Sequence, residues 1–160
     1  GPRKMKAAVL TVSDSCFNGT RIDESGEYIK RVLLENGWEV PFKEILPDEK
    51  KLIEDKLKEW VNRVDLILTT GGTGLSPRDV TPEATLEILE KRASGISEFI
   101  RWEGLKKTFR ASLSRAEAGL KGSTLIVNLP GSLNAVKDGM EALFKILPHA
   151  LEMMAGKGHE

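Results

Sequence analysis

The sequence predicts an α/β fold: a three-layer α/β/α domain with a mostly parallel sheet. Three observations carry this. Short β-rich apolar runs alternate along the chain with longer stretches of helical periodicity, the pattern of parallel strands joined by covering helices. Each apolar run stops at polar or turn-forming residues, which marks where the strands end. No repeat, low-complexity tract or long linker divides the 160 residues, so positions 1–160 are expected to form one domain.

The elements follow in order. "KAAVLTVSD", Lys6 to Asp14, reads as a buried strand. "ESGEYIKRVLLENG" sets Tyr28, Ile29, Val32 and Leu33 at helical spacing and offers Gly37 as a C-cap. "WEVPFKEIL" is a second strand, and Pro41, which cannot donate to a ladder, places it near an edge or a bulge. "DEKKLIEDKLKEWVNRV" is amphipathic, with Leu52, Ile53, Leu57, Trp60, Val61 and Val64 on one stripe. "DLILTT" is the third strand. A helix is then announced by Thr81 as N-cap, Pro82 at the first helical position and Glu83 in the first turn. "GISEFIRWEGLKK" continues helical, and "STLIVNLPGS" is a fourth strand with a turn. The closing helix, "LNAVKDGMEALFKILPHALEMM", is apolar at Leu133, Val136, Met140, Leu143, Phe144 and Leu147.

Composition narrows the function. With 24 basic and 24 acidic residues the chain has no bulk attraction for nucleic acid or anionic lipid, so no partner of either kind is expected. The single cysteine, Cys16, excludes an intrachain disulfide and any multi-cysteine metal site, and suits a reducing compartment. No apolar run approaches the roughly 20 residues that span a bilayer. Ala7 to Val12 is too short for a signal-peptide core and reads on as a strand, and Gly1-Pro2 ahead of an internal methionine, compatible with an expression scar, carries no weight. A cytoplasmic protein is the expectation.

Parallel strands present their carboxyl ends on one rim, where open α/β sheets bind ligands. Four polar clusters fall there: "SDS", "PDE", "TGGTG" and "NLPGS". In Gly71-Gly72-Thr73-Gly74 the missing Cβ atoms let backbone N–H groups approach a bulky anion. A tight strand-to-helix turn without a ligand accounts for the loop equally well. The loop is not a P-loop, because Leu75, Ser76 and Pro77 follow where Lys-Ser/Thr would stand. Nor is it a dinucleotide fingerprint, because six more residues separate Gly74 from Thr81. Thr73 adds a hydroxyl and Arg78 a counter-charge. A carboxylate beside a phosphate is repulsive unless a cation lies between them, so Asp79 and Asp48 together suggest Mg²⁺. Each also has a plainer reading: Asp79 as a helix-dipole partner, Asp48 as an N-cap.

"LTVSDSCFNG", "ILPDE", "LILTTGGTGLSPRDVTPEAT", "LSRAEAGLKGSTLIVNLPGS" and "LPHALE" stand in an order that closely resembles the molybdopterin adenylyltransferases. These are the MogA/MoaB type and the G domains of gephyrin and its plant counterpart, and the resemblance runs from Lys6 to about Met154. Related glycine loops in molybdenum-insertion proteins and nucleotide amidases differ after the second glycine. The resemblance implies a Rossmann-type three-layer domain, usually a homotrimer, and a reaction. In it the terminal phosphate of molybdopterin attacks the α-phosphate of ATP, releasing pyrophosphate, and the product passes to a molybdenum-insertion protein. Two essential aspartates of the family fall on Asp48 and Asp79, the same pair as the rim argument selects.

The expected site assigns catalysis and Mg²⁺ to Asp48 and Asp79, and phosphate binding to Gly71, Gly72, Thr73 and Gly74, with Arg78 as counter-charge. Ser13, Asp14 and Ser15 would contact substrate. Pro130, Gly131 and Ser132 would bind a second anionic group at the start of the last helix. Ser114 and Arg115 enter as pterin or phosphate contacts by resemblance alone; locally Arg115 reads as a solvated arginine. Cys16 has no nearby histidine to activate it. His149 and His159 are expected to be structural or solvated, and Trp38, Trp60 and Trp102 to pack in the core or a subunit interface. The rival expectation is a non-catalytic paralogue that carries molybdopterin or nucleotide, or acts as a scaffold.

Overall fold

The computed structural model describes residues 3–156. His159 and the Gly1-Pro2 pair lie outside the described residues. The chain runs β1 (Lys6–Val12), α1 (Asp14–Phe17), α2 (Glu24–Glu35), β2 (Glu39–Leu46), α3 (Lys50–Trp60), β3 (Leu66–Thr70), α4 (Thr81–Ile88), β4 (Lys91–Arg92) and α5 (Ser94–Leu105). A 3-10 helix over Phe109–Leu113 follows, then β5 (Ala118–Lys121), β6 (Thr124–Leu129) and α6 (Leu133–Met154). The six strands form one sheet in the order β2-β1-β3-β6-β5-β4. β2, β1, β3 and β6 are parallel, while β5 pairs antiparallel with both β6 and β4.

Alternation along the buried strands builds two cores. Ala7, Val9, Leu66, Leu68, Leu125 and Val127 pack against α2, α5 and α6 through Ile29, Leu33, Ile100, Val136, Met140 and Leu143. The intervening Ala8, Leu10, Val12, Ile67 and Ile126 face α3 and α4 through Ile53, Leu57, Trp60, Ala84 and Ile88. Strands buried on both sides must read as continuous apolar runs, and these do. Helices on both faces give the three-layer architecture.

Two strands escaped the sequence reading. β4 is only two exposed residues. β5 is short and contains Gly119, whose missing Cβ leaves room for the Lys91 carbonyl. A signal for the β5–β6 hairpin was nevertheless present. Gly122-Ser123 separates the two strands, with Gly122 at φ +57, as a two-residue primed turn requires.

Other boundaries moved for local reasons. Pro41 lies on the edge strand β2, and the register slips between Lys6 and Ala8, the bulge its missing donor calls for. α3 stops at Trp60, because Val61 turns extended and Asn62 adopts φ +67. Val61 and Val64 still join that core from outside the helix, whereas Leu52 is 41% exposed and leaves the expected stripe. Glu49, not Asp48, occupies the N-cap of α3. Val80 is the N-cap of α4, so Thr81 is its first helical residue; its amide is taken by the Gly72 carbonyl. Trp38 and Trp60 are core residues, and Trp60 stacks on Phe42 with ring centroids 5.8 Å apart. Trp102 is exposed.

The chain leaves β1 towards β2 on one side and returns to β3 on the other. That reversal opens a crevice beyond the carboxyl ends of β1 and β3, the usual ligand position in open α/β sheets.

Candidate active site at the sheet rim

β3 is buried throughout and delivers Gly71 straight into the crevice. A side chain there would strike the Val12 carbonyl oxygen, and φ is +98, so only glycine fits. The Gly71 amide donates to the Leu129 carbonyl at 3.1 Å, and the Thr70 hydroxyl to the Pro130 carbonyl at 2.6 Å. Gly131 packs on Gly71, and Ser25 bonds its carbonyl at 2.8 Å. The ends of β3 and β6 are thereby fastened to each other.

Beyond Gly71 the loop is polarised. Thr81 donates to the Gly72 carbonyl at 3.1 Å and the Arg115 amide to the Thr73 carbonyl at 2.8 Å. Arg115 Nε donates to the Gly74 carbonyl at 2.8 Å and Nη2 to the Asp79 carbonyl at 2.8 Å, while Nη1 pairs with Glu83. Carbonyls are therefore taken up by the protein. Among the described residues none accepts from the N–H groups of Gly72, Thr73 or Gly74. A segment with engaged carbonyls and unpaired amides suits an anion.

Carboxylates flank it. An ideal Cβ on Gly72 would lie 3.2 Å from Asp48 Oδ1, and one on Gly74 would lie 2.9 Å from Asp79 Oδ2. Asp79 Oδ2 also accepts from the Ser76 amide at 3.0 Å. Asp48 Oδ2 accepts from the Asp14 amide at 3.0 Å, and the Asp48 amide donates back to Asp14 Oδ1 at 2.9 Å. Burial, with the neighbouring charges of Asp14 and Asp79, pushes the Asp48 carboxyl above its ordinary range. Asp14 moves the other way, because Arg78 grips it through Nε at 3.1 Å and Nη2 at 2.9 Å. That pairing raises the Arg78 guanidinium in turn.

Two clefts meet here, both of ordinary ligand size. The larger, about 890 Å³, has Ile100, Leu113 and Ala116 on an apolar wall and Arg101, Lys107, Arg110 and Lys137 as cations. The smaller, about 380 Å³, carries Ser13, Asp48 and Gly71 with Arg21 and Asp23. Gly72, Asp79, Gly131 and Ser132 line both.

The expected site residues divide accordingly. Asp48, Asp79, the glycine loop, Gly131 and Ser132 converge, with Thr73, Ser114 and Pro130 on the wall of the larger cleft. Ser132 also caps α6 through the Ala135 amide at 3.3 Å, and Ser13 caps α1 through the Cys16 amide at 3.1 Å. Ser15 lies beside Ser13, their hydroxyls 3.2 Å apart. Asp14 and Arg78 hold each other, and Arg115 holds the loop backbone instead of standing solvated. Sequence reasoning passed over the four cations of the larger cleft. The basic run "RWEGLKKTFR" is the signal for Arg101, Lys107 and Arg110, while Lys137 stands apart on α6. Among the described residues no group of three or more His, Cys, Asp or Glu could hold a metal alone, so a cation here would draw further ligands from a substrate.

Residues 8–149 match the family described as "Probable molybdopterin binding domain". The chain belongs to that family. As a family member it is 39% identical to a molybdopterin adenylyltransferase of Helicobacter pylori (strain J99) over 153 residues, covering 92% of this chain and 86% of that one. It is 44% identical to the molybdenum cofactor synthesis protein cinnamon of Drosophila melanogaster, covering 91% of this chain but only 25% of the fly protein. Its fold matches the crystal structure of the molybdopterin biosynthesis enzyme MoaB from Thermus thermophilus with a TM-score of 0.89 at 46% identity, over 98% of this chain and 99% of the other. The molybdopterin-binding fold is thus nearly the whole of these two bacterial relatives and a quarter of the fly protein.

Proposed function

We propose that this family member adenylylates molybdopterin with ATP, in a Mg²⁺-dependent reaction that releases pyrophosphate. Its pathway is molybdenum cofactor biosynthesis, which the name of the fly relative prints and which the molybdopterin in the other names supports. The observation that carries the reading is the row of unpaired amides at Gly72, Thr73 and Gly74, set between Asp48 and Asp79 where the two clefts meet.

The reaction joins two polyanions. An oxygen of the molybdopterin phosphate forms a bond to the α-phosphorus of ATP, and the bond from that phosphorus to the bridging oxygen of pyrophosphate breaks. Little covalent work falls to the protein; it must position both phosphates and offset their charge. The glycine-loop amides and the Thr73 hydroxyl bind phosphate oxygens, and the cations of the larger cleft draw anionic groups to its mouth. The boundary shared by the clefts lets one substrate occupy each side. Ser13 in the smaller cleft and Ser114 in the larger orient substrate.

A divalent cation fits these residues. Two carboxylates face one loop, burial and the nearby negative charges raise the Asp48 carboxyl, and the Thr81 hydroxyl close to it is buried with no partner among the described residues. Asp48 and Asp79 would hold Mg²⁺, which when bound neutralises charge on the reacting phosphate oxygens. A homotrimer, a cytoplasmic setting and delivery of product to a molybdenum-insertion protein belong to the same proposal.

The test is to incubate the protein with molybdopterin, ATP and Mg²⁺ and follow pyrophosphate. Release that requires all three is expected. Binding of molybdopterin without release would make the chain a carrier.

A further inference from the structure

Thr81 is fully buried, and its Oγ1 has no hydrogen-bond partner among the described residues. Such a group is costly: a hydroxyl removed from water and left unpaired loses the whole of its solvation. Most buried hydroxyls are satisfied, so an orphan needs a reason. Helix capping is not the reason, because the N-cap of α4 is Val80 and the Thr81 side chain bonds nothing in the helix. Core packing is not the reason either, since valine has the same shape without the penalty.

The position of the orphan is informative. A Cβ built on Gly72 would collide with Thr81 Oγ1, and the same point lies 3.2 Å from Asp48 Oδ1. Both oxygens therefore face the one side of Gly72 that lacks a side chain. Asp48 Oδ2 is engaged by the Asp14 amide at 3.0 Å. Among the described residues none donates to Oδ1. An unpaired donor and an unpaired acceptor thus flank the same Cβ-less slot.

We propose that Thr81 is a positioning residue for Asp48: its hydroxyl donates to Oδ1 when that carboxylate turns to hold the cation of the loaded site. This rests on the proposed function, and it names a residue that acts through Asp48 without touching substrate. Second-sphere donors of this kind fix the orientation of a ligating carboxylate. The arrangement also explains glycine at position 72, since any side chain there would fill the space in which the two groups meet.

The variants are Thr81→Val, which removes only the hydroxyl, and Thr81→Ser, which keeps it. Affinity for Mn²⁺ in the presence of ATP is read by electron paramagnetic resonance, and thermal stability is read on the metal-free protein. Thr81→Val is expected to be as stable as wild type or more so, because it deletes an unsatisfied group, yet to bind Mn²⁺ roughly 10–100-fold more weakly. Thr81→Ser is expected to restore affinity. A structural role predicts the reverse pattern, lower stability with unchanged Mn²⁺ affinity, and that result would overturn the proposal. Should Thr81→Val not fold, a crystal structure of wild type with Mn²⁺ and ATP decides. A Thr81 Oγ1 to Asp48 Oδ1 separation beyond about 3.5 Å there, too long for a hydrogen bond, would overturn the proposal as well. Wild type that binds no Mn²⁺ with ATP fails the functional reading itself, a result distinct from equal binding by wild type and Thr81→Val.

Discussion

Asp14 and Asp48 exchange hydrogen bonds across the rim, each backbone amide donating to the other's carboxylate, at 3.0 and 2.9 Å. The exchange locks the end of β1 to the end of β2, and it places two negative groups side by side. Arg78 offsets one of them. Asp48 keeps its repulsion.

Stability should record the burial of Asp48 together with that repulsion, since both raise its carboxyl. A carboxyl whose folded pKa lies above its unfolded value binds more protons in the native state, so stability falls as pH rises through the unfolded and then the folded value. The penalty is complete above the folded pKa. Asp48→Asn is therefore expected to be more stable than wild type at neutral pH, with the difference fading as pH falls below the ordinary carboxylate range. Asp14 has the opposite sign. Its folded pKa is lowered by Arg78, so its contribution is present above the unfolded value and lost as pH falls through the folded one. Urea midpoints of Asp48→Asn and Arg78→Ala against pH check both.

Asp79→Asn is expected to leave the fold intact and to lower the adenylylation rate by about 10²-fold or more, the usual loss when one group that stabilises transition-state charge is removed. Asp48→Asn should do the same. Pyrophosphate release at saturating substrates measures it, and wild-type turnover by both variants would remove the metal assignment.

Arg115→Ala should loosen the glycine loop. Its side chain reaches two carbonyls and Glu83 but is 34% exposed, so the expected loss is about 1–2 kcal/mol. Lysine cannot reproduce the planar fork and should rescue little. Hydrogen exchange at the bonded amides of Ser76, Asp79 and Thr81 would localise the effect; unchanged exchange would show that the loop holds itself.

Gly71→Ala combines a positive φ with a collision against backbone. It is expected to cost about 1–3 kcal/mol and to abolish nucleotide binding, since the Val12 carbonyl cannot retreat without breaking the sheet. Calorimetry and ATP titration test the two halves separately.

Asn62 tests the far end of the molecule. It is the only non-glycine with positive φ among the described residues, and its Oδ1 accepts from the Ser123 amide at 2.7 Å. Its backbone N–H donates to Thr124 Oγ1 at 2.8 Å. Asn62→Ala should lower stability by about 1–2 kcal/mol while leaving pyrophosphate release per folded molecule unchanged. A fall in turnover would mean that the hairpin communicates with the rim.

How far this molecule could be read in advance depended on where each signal lies. α6 has the bounds that its apolar periodicity marks, Leu133–Met154, because a long helix with one buried face writes that face into the sequence. β4 and β5 write almost nothing, being two exposed residues and a glycine-containing tetrapeptide. At the rim, Asp48, Asp79 and the glycines carry their chemistry in residue type. Arg115 does not, because its partners are main-chain carbonyls 41 and 36 positions away, and a carbonyl has no letter. Thr81 misled for a related reason. Local rules make it a cap, but its amide answers to Gly72, a contact across the turn that only the folded chain makes.

The fastening of Gly71 to Leu129 and of Thr70 to Pro130 has a further consequence for synthesis. A nascent polypeptide emerging from the ribosome presents its glycine segment long before the residues that clamp it exist. Until the last strand has cleared the exit tunnel that segment has no anchor on one flank, and the crevice beside it lacks one wall. The rim is therefore completed late, when the last strand docks beside the glycine segment.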